Sequence, residues 1–203
     1  MDIHCRRCGE CCRHTSPTLH YQDIELIHRG VVSVKDLYTL RPGQRVYDNI
    51  RQRPSYLEDE LIKVKERPGT RQCIFYNPLS ASCSIYQQRP AQCRVFFCER
   101  PELLKGLFSQ KKPTRQDIIN DAEMLKIIDA HNRRVDMKAF VRKVESLRGE
   151  IDEALAELIR YDQHFRDFIH ERLRIPRQEL SFYFGRPLSE ILKDYGLELE
   201  IRV

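Results

Sequence analysis

Cys5-Arg-Arg-Cys8-Gly-Glu-Cys11-Cys12 decides how this chain is read, with four thiols inside eight residues near the N-terminus. A cysteine used as a small packing group needs neither that density nor that spacing. A C-x2-C step lets one short loop turn two thiolates toward the same soft metal. Here the step is taken from Cys5 to Cys8 and again from Cys8 to Cys11, and Cys12 follows directly. The stretch reads as part of a metal or iron–sulfur site around which the first half of the chain folds.

All eight cysteines lie between Cys5 and Cys98, and none follows. Proline is also denser early, and the hydrophobic periodicity changes after it. The expected fold is α+β: a small cysteine-rich metal-binding region over residues 1–110, then a helical region over 111–203 packing on it. In the first region Tyr21 to Arg29 carries Ile24 and Ile27 at helical spacing and closes on Gly30. Ser33-Val-Lys-Asp36 has the form of a capping box for a short helix through Leu40. Val46 to Ile50 and Leu61 to Lys65 read as strands, and Cys73 to Tyr76 and Cys83 to Tyr86 as a strand pair. In the second region Thr114-Arg-Gln-Asp117 opens a helix toward Ala130. A longer helix places Phe140, Val144, Leu155, Phe165 and Ile169 on one stripe, with Gly149 tolerated inside it. Pro176 stops that pattern, and a last helix starts at Pro187 and ends at Gly196.

Cys73, Cys83, Cys93 and Cys98 form a second cluster. A hairpin would bring Cys73 and Cys83 together, and Pro90 can start a helical turn that presents Cys93 to them. The C-x2-C-G-x-C-C run at Cys5, Cys8, Gly9, Cys11 and Cys12 is joined by C-x-I-Y-x-x-R-P-x-x-C-R at Cys83, Ile85, Tyr86, Arg89, Pro90, Cys93 and Arg94, with Cys73 between. Together these motifs resemble the YkgJ-type CxxCxxCC family of zinc- or iron-chelating domains. The resemblance covers about the first half of the chain and implies metal chelation. One subset of that family resembles flagellin lysine N-methylases, which leaves room for a metal- or cluster-dependent group transferase.

A bacterial ferredoxin run is C-x2-C-x2-C-x3-C-P. Cys5, Cys8 and Cys11 match its first three thiols, but the fourth falls on Thr15 and the proline on Ser16. A four-iron cluster would therefore take its fourth thiolate from Cys12 or from the distant cluster. One zinc needs only four ligands, for which Cys5, Cys8, Cys83 and Cys93 would serve. Eight thiols exceed that need, and the neighbouring side chains of Cys11 and Cys12 are expected to diverge. On softness and geometry an iron–sulfur cluster is favoured over Zn2+. Arg89 and Arg94 are placed beside the sulfurs, where guanidinium donors offset thiolate charge. His4, His14 and His20 are read as neighbours of the site, because thiols are plentiful.

The net charge of +5 arises from 35 basic and 30 acidic residues scattered along the chain, which is no nucleic-acid footprint. The locally basic stretch Arg41 to Arg53 reads as solvated surface. No apolar run approaches the ~20 residues of a membrane span. Met1-Asp-Ile-His4 lacks the features of a signal peptide, so a cytoplasmic location is expected, where clustered thiols bind metal rather than pair. The expected role is a metal-binding protein, with the helical half free to dock a protein partner. Catalysis is left open: no glycine-rich phosphate loop, H-E-x-x-H or G-x-S-x-G motif occurs, and C-x3-C-x2-C is replaced by C-x2-C-x2-C.

Overall fold

The computed structural model describes residues 5–48, 52–97, 100, 102–147 and 150–198. Its elements, in chain order, are α1 (Glu10–His14), α2 (Ile24–His28), β1 (Leu37–Leu40), β2 (Arg45–Asp48), β3 (Arg53–Tyr56), β4 (Leu61–Val64), β5 (Tyr76–Asn77) and β6 (Ser82–Cys83). Helices follow: α3 (Ala91–Val95), α4 (Leu103–Phe108), α5 (Ala122–Arg134), α6 (Met137–Ser146), α7 (Glu153–Leu173), α8 (Leu180–Phe184) and α9 (Leu188–Lys193). Small sheets come early and helices fill the C-terminal half, so the fold is α+β. β1 pairs with β4, β2 with β3 and β5 with β6. The chain divides into two compact units that interleave in sequence, Met1–Tyr38 with Leu61–Ile118, and Thr39–Glu60 with Ile119–Val203.

The first unit is organised by β4. Leu19 N–H donates to the Ile62 carbonyl at 2.8 Å, and Val64 N–H donates to that of Pro17 at 3.0 Å. The extended stretch before α2 thus lies against β4, and Leu19, Ile62 and Val64 are wholly buried. Ser16 Oγ donates to the Val64 carbonyl at 2.5 Å. α2 follows a 3-10 turn at Tyr21–Asp23 and closes at Gly30, whose φ of +69° suits glycine. The Ser33–Asp36 box is present, with Asp36 Oδ2 accepting from Ser33 N–H at 2.8 Å, but it caps one 3-10 turn. A strand, not a helix, follows, because Leu37 to Leu40 carry a β-prone Tyr-Thr pair and find β4 as a partner.

The second unit is built on aspartate caps. Asp121, Asp136 and Asp152 each accept a first-turn backbone N–H, so that α5, α6 and α7 begin where those side chains stand. The Thr114–Asp117 box again serves only a 3-10 turn, and the long helix starts five residues later than its signal, at Ala122. The single stripe from Phe140 to Ile169 belongs to two helices: Leu147 leaves α6 in extended conformation and Asp152 starts α7, while Gly149 lies outside the described residues. Phe140, Val144 and Leu155 pack in one core with α9, and Ile169 and Phe165 in another with α8. β2 and β3, the latter unforeseen because it contains Pro54, make a two-stranded hairpin in which Tyr47 faces Pro54. Ile50, expected at the end of that strand, lies outside the described residues.

One carboxylate ties this unit together. Asp162 on α7 accepts from His131 Nε2 at 2.8 Å, Arg166 Nε at 2.9 Å and Leu188 N–H at 3.0 Å. Burial opposes its ionisation, but the Arg166 charge and the His131 hydrogen bond overcome that and hold Asp162 below the carboxylate range. Burial also keeps His131 neutral, below the usual imidazole value, against the pull of Asp162. His20 in the first unit is pushed down to about 4 by burial and by Lys112.

Both histidines are therefore neutral when folded and take up protons more readily when unfolded. Their contribution is complete above an ordinary histidine value of about 6.5 and is lost as pH falls through the window below it. Unfolding free energy measured from pH 8 to pH 5 should drop by at most about 1.4 kcal/mol per pH unit per histidine. His131→Gln should remove part of that slope; an unchanged slope would show that His131 does not report folding.

Candidate metal centre

α1 carries Cys11 and Cys12 on one turn, and Gly9 opens it with φ +74°. That glycine is required twice over. Its left-handed backbone disfavours a side chain, and an added Cβ would lie 2.4 Å from the Tyr76 hydroxyl. Tyr76 is almost fully buried and faces Cys83 across the β5–β6 pair. The N-terminal loop is thus seated on the hairpin that holds the second cluster.

The hairpin is shorter than its sequence suggests. Only Tyr76–Cys83 and Asn77–Ser82 are paired, so Cys73 is not opposite Cys83. Cys73 instead bridges to Glu66, and a turn from the Cys73 carbonyl to the Tyr76 N–H brings it near Cys83. Cys73 N–H also donates to the Cys12 carbonyl at 2.8 Å, which joins the two clusters through their backbones. Cys93 sits on α3, started by Pro90 as the sequence indicates. α3 is anchored by Asp23, a buried residue that sequence reasoning passed over: its Oδ1 accepts from Ala91 N–H at 2.8 Å and its Oδ2 from His20 N–H at 2.9 Å. Gln92 Oε1 adds a bond from Thr18 N–H at 2.7 Å. No local signal marks Asp23, since its partner lies 68 residues away.

Among the predicted thiols, Cys73 is buried, Cys5, Cys11, Cys12, Cys83 and Cys93 are half-buried and Cys8 is exposed. Cys98 lies outside the described residues, as does His4. Cys11 and Cys12 do not diverge: their Sγ atoms are 3.8 Å apart. A hydrogen bond from Cys12 lowers Cys11 to about 6, and the same bond together with burial pushes Cys12 up. Burial, then the charges of Cys83, Glu66 and Cys11, hold Cys73 at about 11. Cys93 is pushed up by burial, then by Cys73, Cys11 and Cys83. Burial also raises Cys83, where Arg89 works the other way and Cys11 and Cys5 add to the rise.

These mutual effects map proximity. Cys11, Cys73 and Cys93 each feel or exert charge on one another, and both Cys12 and Cys83 complete a set of four with them. Every donor in either set is sulfur, which suits zinc or iron. Among the described residues, no three or more His, Cys, Asp or Glu side chains are already gathered as a ligand set.

Arg89 bonds to two backbone carbonyls, and its charge favours the Cys83 thiolate. Its Nη1 donates to the Tyr86 carbonyl at 2.9 Å and its Nε to that of Cys93 at 3.3 Å. Arg94 lies 3.8 Å from Asp23 Oδ1, so it balances the carboxylate that anchors α3. His14 pairs with Glu10 at 2.7 Å on the exposed face of α1. His20 is buried, with neither ring nitrogen hydrogen-bonded.

Fold and site together define a cysteine-rich α+β domain. The CxxCxxCC model, described as a putative zinc- or iron-chelating domain, matches residues 4–117, more than half of the chain, and the protein belongs to that family. No curated protein and no solved structure matches it at significance. No helix among the described residues is long and apolar enough to cross a membrane.

Gly9→Ala and Gly30→Ala separate the two demands on glycine. Both positions have positive φ, but nothing lies within 4 Å of a Cβ at Gly30. Gly30→Ala should cost about 1 kcal/mol for backbone alone, and Gly9→Ala clearly more, because Tyr76 must also move. Denaturant midpoints measure the difference, and equal losses would refute the seating of Gly9 on Tyr76.

Proposed function

We propose that the cysteine-rich unit chelates one thiolate-bound metal ion, zinc before iron, through Cys11, Cys73, Cys93 and either Cys12 or Cys83. The observation that carries this reading is the backbone bond from Cys73 N–H to the Cys12 carbonyl, which joins the two cysteine clusters. The Cys11–Cys12 separation supports it, because sulfurs about 2.3 Å from a tetrahedral zinc stand about 3.8 Å apart along an edge. Cys5 and Cys8 stand at the outer side of the site, with Cys98 as a further candidate. A reducing, cytoplasmic setting belongs to the reading, since ligation needs free thiols. The bound ion would supply the positive charge that lets the raised thiols ionise together.

An iron–sulfur cluster is the second reading, favoured by thiols in excess of four. Anaerobic purification with metal and acid-labile sulfide analysis decides between them. Zinc near one per chain without sulfide supports the first reading. Comparable iron and sulfide, with visible absorption bleached by air, supports the second. Neither metal, with the native thiols all open to titration, would overturn both.

Proton release gives a further check. At pH 7 Cys73, Cys93 and either Cys12 or Cys83 are protonated, all being raised, whereas Cys11 at about 6 is largely thiolate. Zinc binding should therefore release about three protons, and affinity should fall as pH drops because protons compete for sulfur. Calorimetric titration in buffers of different ionisation enthalpy counts them; release of one proton or none would rule out this ligand set.

A further inference from the structure

Arg7 occupies the middle of the first C-x2-C step and has no donor to offer a metal. Its guanidinium carbon lies 4.2 Å from the centre of the Tyr86 ring, and that of Arg89 lies 4.1 Å from the same ring. One aromatic ring thus attracts two cations, which offsets their mutual repulsion. Arg89 is fixed in place by its bonds to the carbonyls of Tyr86 and Cys93. Arg7 holds φ at +56°, a conformation uncommon for a residue with a side chain, and its backbone N–H donates to Cys5 Sγ at 3.4 Å. The loop bearing Cys5 and Cys8 is therefore attached to the segment bearing Cys83 and Cys93 through three side chains, none of them a metal ligand.

We propose that the Arg7–Tyr86–Arg89 stack is a latch that holds the Cys5-to-Cys8 loop beside the Cys83 and Cys93 thiols, and that its opening sets how fast a bound metal leaves. The proposal rests on the chelation reading above. Arg7 and Tyr86 act as positioning residues. The attraction of a partly exposed cation for a ring is modest, which suits a contact that must open and close. Gly9 packs against Tyr76 at the other end of the same loop, and that contact is steric. The loop is thus fixed at Gly9 and releasable at Arg7.

The test is zinc release from the loaded full-length protein into excess chromophoric chelator, with thermal midpoints of the metal-free proteins beside it. Arg7→Ala and Tyr86→Leu should release zinc about two- to fivefold faster than wild type. Tyr86→Phe should behave as wild type, since it keeps the ring face and loses only the hydroxyl. The metal-free midpoint of Arg7→Ala should match that of wild type, which a merely structural role would not predict. Wild-type release from Arg7→Ala, or a Tyr86→Phe as fast as Tyr86→Leu, overturns the latch and leaves chelation standing. Failure of the wild type itself to bind zinc or iron overturns the chelation reading and the latch with it.

Discussion

Sulfur crowding is the constraint on which the cysteine-rich unit depends. Burial is the main cause of the raised proton affinity at Cys73, Cys83 and Cys93, neighbouring sulfurs add to it, and a mutual hydrogen bond shifts Cys11 down and Cys12 up. Thiolates so placed cannot ionise together without a cation, because each would be desolvated and repelled by its neighbours. The folded unit therefore holds most of these sulfurs protonated, with Cys11 poised as an anion.

Such crowding must be imposed by the rest of the unit, since nothing in the sulfurs themselves favours it. Three contacts impose it, each reaching far along the chain. Cys12 and Cys73 share a backbone hydrogen bond, Gly9 lies against Tyr76, and Asp23 caps α3 beneath Cys93. Asp23 is costly in itself: burial raises its proton affinity, and the N–H groups of His20 and Ala91 together with Arg94 offset only part of that. A buried carboxylate with all its partners in place fixes geometry more sharply than apolar packing does. Asp162 serves the helical unit in the same way, drawing α5, α7 and the start of α9 to one point.

What the sequence made legible were features whose cause is local. The two cysteine motifs, the Pro90 turn before Cys93 and the helix closing at Gly30 each follow from a few adjacent residues. The misreadings share one cause, a local signal overruled by a distant partner. Ser33–Asp36 and Thr114–Asp117 are real boxes on single turns, because β4 claims the residues after the first and Asp121 supplies a better cap after the second. The Cys73–Cys83 register could not be read, since a ladder of two residue pairs leaves no periodicity. Asp23, Gly9 against Tyr76 and Arg7 on Tyr86 lie wholly in tertiary contacts.

The adjacent pair Cys11–Cys12 shows how far geometry can revise a chemical expectation. Neighbouring side chains on an extended strand point to opposite faces, which would send the two sulfurs to different metals. On a helical turn they are only about a hundred degrees apart, a consequence of 3.6 residues per turn. α1 supplies that turn, and Gly9 makes it possible by accepting a backbone that lets the helix start immediately after the first C-x2-C step. The sulfurs then come within 3.8 Å, close enough to share one ion. The glycine of the motif thus sets the spacing of the two sulfurs as well as the packing against Tyr76, and both follow from one backbone angle.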